Sequence, residues 1–126
     1  MIKNYFFVAL GGLVGAVLRF SVGESLQLVQ AKMMWPLATT LVNLLGCLLI
    51  GSLAGLAVGR IGLSPGLKLF LITGILGGFT TFSAFALENF KLFSEQRYAL
   101  VFANVMVQVV GGFILCGAGF SFCARL

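Results

Sequence analysis

Four stretches of this chain are apolar over a length that a helix needs to cross a lipid bilayer. A hydrocarbon core of about 30 Å takes about 20 helical residues. The stretches run from about Asn4 to Val22, from Trp35 to Val58, from Leu67 to Phe93 and from Tyr98 to about Phe122. Lipid offers no hydrogen bonds to a bare backbone, so each span has to be a helix. The chain therefore reads as one all-α membrane domain, residues 1–126, with four transmembrane helices. Composition leaves little room for a soluble fold. Hydrophobic residues make up 60% and charged residues 9%, against about 25% charged in soluble domains. A soluble chain this small has too much surface to cover with so few charges.

The net charge is +5, but the cations stand singly near segment ends. They read as anchors at lipid head groups rather than as a nucleic-acid surface. Cys47, Cys116 and Cys123 fall in apolar segments with no CxxC spacing, and the chain has no His. They read as small packing residues, not as redox or metal groups. Lys3 followed by an apolar run superficially resembles a signal peptide. No small-x-small cleavage site precedes a polar mature domain, so cleavage is not expected. With no His, no Asp, no phosphate-cradling loop and no nucleophile–base pair, an enzyme is not expected either.

Glycine spacing points to a tight bundle. Gly11 and Gly15 form one GxxxG, and Gly51, Gly55 and Gly59 form a tandem pair; small residues let helices approach closely in lipid. The third stretch differs from the rest. It is long for one straight span, and its middle reads Gly74-Ile75-Leu76-Gly77-Gly78-Phe79-Thr80-Thr81-Phe82-Ser83. A Gly-Gly pair followed by two Thr is a poor helix interior. The third helix is expected to break at 77–80, freeing backbone groups that must be buried or line a polar path.

Four spans put both termini on one side, with Lys3, Arg60, Lys68 and Arg125. The other side holds Lys32, Lys91 and Arg97, with Arg19 near its edge. The positive-inside rule needs an asymmetry, and almost none exists here. The expectation is insertion in both orientations and an antiparallel, dual-topology homodimer.

Few polar groups lie inside the spans. Asn43 offers two donors and one acceptor, and the sequence leaves open whether it packs or binds an anion. Arg19 reads first as a snorkelling cation, with a role in drawing anions inward as the functional reading. Phe79, Phe82 and Phe85 recur at spacing three and share a helix face. Their positive ring edges can solvate a small anion without a charge that would trap it.

Asn43 after Thr39-Thr40-Leu41-Val42, together with Gly77-Gly78-Phe79-Thr80-Thr81-Phe82-Ser83-Ala84-Phe85, resembles the Fluc (CrcB) small fluoride channels. Gly11-Gly12 with Gly15-x-x-x-Arg19 fits the first helix of that family, and the resemblance covers essentially the whole chain. It implies an antiparallel homodimer in the bacterial cytoplasmic membrane, with two pores through which fluoride leaves the cell passively. It implies pore positions at Asn43, Phe82 and Phe85, with Ser83, Thr39 and Arg19 along the path. It also implies a structural Na+ on the two-fold axis, held by main-chain carbonyls of Gly77 and Thr80. The chain departs from the family at Ala84 and Ala86, where Thr and Ser are common, and in the fourth-helix hydroxyl track, which is replaced by Gly112 and Cys116. Glycine at 112 is expected to leave room for a water.

Two other functions compete with this one. A dual-topology drug/proton antiporter needs a titratable carboxylate deep in a span, and Glu24, Glu88 and Glu95 are all expected at or beyond helix ends. A non-conducting subunit, or half of a heterodimer, is kept open by the missing hydroxyls.

Overall fold

The computed structural model describes residues 2–59 and 62–126. Arg60, counted above among the cations on the terminal side, lies outside the described residues. The described chain is helical throughout, and four helical spans are long and apolar enough to cross a membrane: Ile2–Met33, Leu37–Val58, Pro65–Ser94 and Tyr98–Cys123. We label the first two α1 and α2. The third span divides into α3 (65–79) and α4 (Phe82–Ser94), and the fourth is α5.

The first helix corrects the expected boundary at Val22. It continues through Glu24, Ser25 and Gln27 to Met33. The polarity of that segment marks where apolar surface ends, not where the helix ends. Glu, Leu, Gln, Ala and Lys are good helix formers. Thirty-two residues make a helix of about 48 Å, well beyond a core of about 30 Å. The chain reverses through Met34, at φ 54°, and α2 starts at Leu37 with Pro36 as its N-cap rather than inside the first turn. The Gln30 side chain accepts from the Ala38 amide at 3.1 Å, which ties the end of α1 to the start of α2.

The glycines set the packing. A Cβ at Gly11 or Gly15 would run into the carbonyls of Phe70 or Ile75, so α1 lies directly against α3. A Cβ at Gly51 or Gly55 would run into the carbonyls of Cys116 or Phe120, so α2 lies directly against α5. Both expected small-residue motifs are therefore backbone contact points.

The interior is unusual in what it buries. Val42, Leu76, Phe79 and Leu92 are the buried large apolar residues, and Thr39, Thr40, Asn104 and Gln108 are buried beside them. Large apolar side chains face outward instead, Phe113 at 82% exposure and Phe102 at 69%. Lipid replaces water as the outer solvent, so polar groups gather inside where they can satisfy one another.

The third span is bent, but the glycines do not break it. Gly77 keeps helical angles, φ −63° and ψ −35°. The break falls at Thr80 (φ −83°, ψ 159°) and Thr81 (φ −153°, ψ 118°). Gly78 serves close approach instead, because a Cβ there would meet the Gly12 carbonyl at 2.6 Å. Two π-helical stretches lie near the break, Leu69–Leu76 before it and Val107–Gly111 on the facing helix. Such turns re-aim side chains and recur at functional sites.

Candidate functional site

The break at Thr80–Thr81 is held open by a side chain from α2. The Thr81 amide, which in a continuous helix would donate to Gly77, donates to Asn43 Oδ1 at 2.8 Å. Asn43 Nδ2 donates to the Thr81 carbonyl at 3.1 Å. Thr81 then caps α4, its hydroxyl accepting from the Ala84 amide at 3.3 Å. Arg19 Nε donates to the Gly78 carbonyl at 3.0 Å, so the arginine also serves the break. Among the described residues, no hydrogen bond reaches the carbonyls of Gly77 or Thr80.

A hollow of about 360 Å³ opens beside this break, lined in part by Asn43, Gly77, Thr80, Phe82, Phe85 and Gln108. The rings of Phe82 and Phe85 sit 5.7 Å apart between centroids, tilted at 42°. Phe82 is 79% exposed. α4 begins at the hollow with Phe82, so the positive end of its dipole lies there. A second hollow of about 240 Å³ lies on the other side of the break, with Arg19, Glu24, Thr39 and Thr81 in its walls. Thr81 lines both.

The structure thus gathers Asn43, Phe82, Phe85, Gly77 and Thr80 in one place. Ser83 is adjacent and exposed, its hydroxyl 3.3 Å from that of Thr81. Thr39 and Arg19 belong to the second hollow. Gly112 and Cys116 do not line the first hollow, whose α5 wall is Gln108 and Val109. Gly112 is buried, and a Cβ there would meet the Cys47 sulfur at 3.0 Å. The Cys47 thiol is thus the group that borders the space beside Gly112.

Two readings of the acidic residues are corrected. Glu24 lies within α1, and Glu88 lies at the middle of α4, not at a helix end. Thr39 Oγ1 donates to Glu88 Oε1 at 2.6 Å. Glu88 Oε2 is buried with no partner among the described residues. The extension of α1 to Met33 encloses Glu24, whereas Glu88 lies six residues before the end of α4 at Ser94.

The sequence reading also missed a buried amide network. Gln108 Oε1 accepts the second Asn43 Nδ2 hydrogen at 2.7 Å. Gln108 Nε2 donates to Asn104 Oδ1 at 2.9 Å and to Thr40 Oγ1 at 3.3 Å. Asn104 Nδ2 donates to Asn89 Oδ1 at 3.2 Å, and Asn89 Nδ2 to the Phe85 carbonyl at 2.8 Å. The signal was present: Asn104 and Gln108 stand four apart in the fourth span, on one helix face.

Comparison with known proteins gives a consistent set of matches. Residues 6–120 match the family described as "CrcB-like protein, Camphor Resistance (CrcB)". A protein of Stutzerimonas stutzeri (strain A1501), named Fluoride-specific ion channel FluC, is 44% identical over 130 aligned positions, covering all of both chains. One of the same name from Azobacteroides pseudotrichonymphae is 43% identical, covering 89% of each chain. Another from Rhizobium etli (strain CIAT 652) is 51% identical over 71% of each.

Proposed function

The chain belongs to the CrcB-like family, and from that premise we propose that it is a passive, fluoride-selective channel of a bacterial inner membrane. It acts as an antiparallel homodimer with two pores, and fluoride runs outward from the cytoplasm. The observation that carries this reading is the hollow where Asn43, Phe82 and Phe85 meet at a helix break. An anion that sheds water needs replacement donors, and a bound anion must also leave. Ring edges and amide hydrogens meet both needs because neither carries a full charge. Ser83, at the start of α4, and Arg19 and Thr39, in the second hollow, extend the path on either side of Thr81.

The dimer is supported by the near-balanced cations and by the outward position of Phe82, which a second copy would cover. A central Na+ fits the same arrangement. Gly77 and Thr80 line the hollow and their carbonyls have no hydrogen-bond partner among the described residues, so two copies would supply four hard oxygen ligands. No cluster of acidic, Cys or His side chains is present among the described residues to compete with them. Such an ion would tie the two breaks together.

The deciding experiment is passive fluoride efflux from liposomes holding this chain alone. Fluoride should run down its gradient with no Na+ or proton gradient required. Silence from the lone chain would favour a heterodimer or a non-conducting subunit. Chloride efflux at a comparable rate would remove the selectivity. One observation favours a second reading: Glu88 is a mid-helix carboxylate with a buried oxygen that has no partner among the described residues, the kind of group that proton coupling needs. Flux that follows an imposed pH gradient rather than the fluoride gradient would establish that reading instead.

A further inference from the structure

The orientation of every carboxamide in the buried network is dictated from one end. A backbone N–H only donates and a carbonyl only accepts, so the Thr81 peptide fixes which face of Asn43 is oxygen and which is nitrogen. With Nδ2 so placed, Gln108 has to present its oxygen to Asn43, at 2.7 Å. Gln108 must then aim its nitrogen at Asn104 Oδ1 and Thr40 Oγ1. Thr40 is held in turn by its bond to the Pro36 carbonyl at 2.8 Å and by Trp35 Nε1 at 3.2 Å. Asn104 is fully buried, and Gln108 is 8% exposed. The relay ends on the Phe85 carbonyl, one turn of α4 from where it began.

The consequence for an anion is specific. Both Asn43 amide hydrogens are already committed, one to the Thr81 carbonyl and one to Gln108 Oε1. The Thr81 bond belongs to the two-point clamp that holds the helix break, whereas the Gln108 bond does not. Gln108 also lines the hollow beside Asn43, on a π-helical turn of α5. Resting on the fluoride-channel reading above, we propose that Gln108 is a positioning residue for conduction. Its Oε1 is a surrogate acceptor that holds the Asn43 hydrogen until fluoride takes it over, and that recaptures it when the ion moves on. This competition keeps Asn43 from binding fluoride tightly, and it keeps the amide from turning its oxygen toward the ion.

The test compares wild type with Gln108→Met and Gln108→Glu in liposome efflux across a range of internal fluoride concentrations. Methionine keeps the length and removes the strong acceptor. Half-saturating fluoride should fall about fivefold, one hydrogen bond of about 1 kcal/mol, and maximal flux should fall with it because release slows. Glutamate keeps the acceptor, adds a charge and should raise half-saturating fluoride. A residue that only packs would change thermal stability and leave half-saturation at the wild-type value in both variants, which overturns the proposal. Nuclear magnetic resonance on labelled wild-type protein covers the case of variants that fail to assemble. Fluoride should shift the side-chain NH2 signals of both Asn43 and Gln108, and unmoved Gln108 signals would refute the idea. Wild-type protein that passes no fluoride sinks the channel reading itself, whereas active wild type with unshifted variants sinks this inference alone.

Discussion

Asn43 holds the Thr81 peptide at both ends, accepting its N–H at 2.8 Å and donating to its carbonyl at 3.1 Å. A side chain on α2 thereby replaces the helical partner that the Thr81 N–H loses at the break, and adds a bond to the Thr81 carbonyl. The break is a designed junction with a specific partner, not a weak point in a helix.

Asn43→Asp removes both donor hydrogens and places one acceptor oxygen against both the Thr81 carbonyl and Gln108 Oε1. The expected outcome is fluoride flux lowered by more than about tenfold, with destabilisation of about 1–3 kcal/mol from the unpaired groups. Liposome efflux and a thermal melt in detergent check the two parts. Wild-type flux would mean that Asn43 serves the fold only.

Phe82→Ile and Phe85→Ile test the ring edges. Phe82 is 79% exposed in the single chain, so its replacement should leave the fold of each subunit intact. Flux should drop by about tenfold in each variant if a ring edge contributes about 1.4 kcal/mol at the barrier. Equal flux in aliphatic and aromatic versions would remove the rings from the ion path.

Gly112→Ser tests whether a hydroxyl can be restored to α5. The Cys47 sulfur stands 3.0 Å from the position of the new Cβ, so the substitution should destabilise by about 1–3 kcal/mol. Adding Cys47→Ala should recover most of the loss in a thermal melt. Only in that background is Gly112→Ser with Cys116→Thr a fair test of a hydroxyl track, and there it should raise conductance.

Gly12 and Gly15 sit on the same helix with opposite expectations. A Cβ at Gly15 collides with the Ile75 carbonyl, whereas one at Gly12 meets nothing within 4 Å. Gly15→Ala should cost about 1–3 kcal/mol. Gly12→Ala should be neutral or stabilising by up to about 1 kcal/mol, through helix propensity. Matching melts for the two would show that α1 and α3 do not meet as described.

Balanced cations predict two orientations in one membrane. Single cysteines placed at Ser64 and Ser94, in a background lacking the native three, should each be labelled by a membrane-impermeant reagent from both sides. Labelling from one side only would end the antiparallel dimer. In the purified dimer, added Na+ should raise the melting temperature, because an ion bound only to the assembled state stabilises it by mass action.

The sequence by itself determined the spans and their order. Hydropathy over about 20 residues is a local property, and it fixes what must lie in lipid whatever the helices do next. It also located the neighbourhood of the break, since Gly-Gly-x-Thr-Thr is a poor helix interior at any depth, and the pair Phe82 and Phe85 follows from helix spacing alone. Helix ends were less legible, because α1 runs on past its apolar stretch to Met33. The tertiary structure alone decided the rest. Thr81 rather than Gly77 leaves the helix because Asn43, 38 residues away in sequence, offers its peptide both partners. A side chain at Gly112 would press on Cys47, and Glu88 Oε1 is paired because Thr39 faces it. Asn104 and Gln108 were visible as polar residues in a span, but their partners were not. A hydrogen bond between helices depends on rotation and depth at once, and both are set by which glycines let which backbones meet.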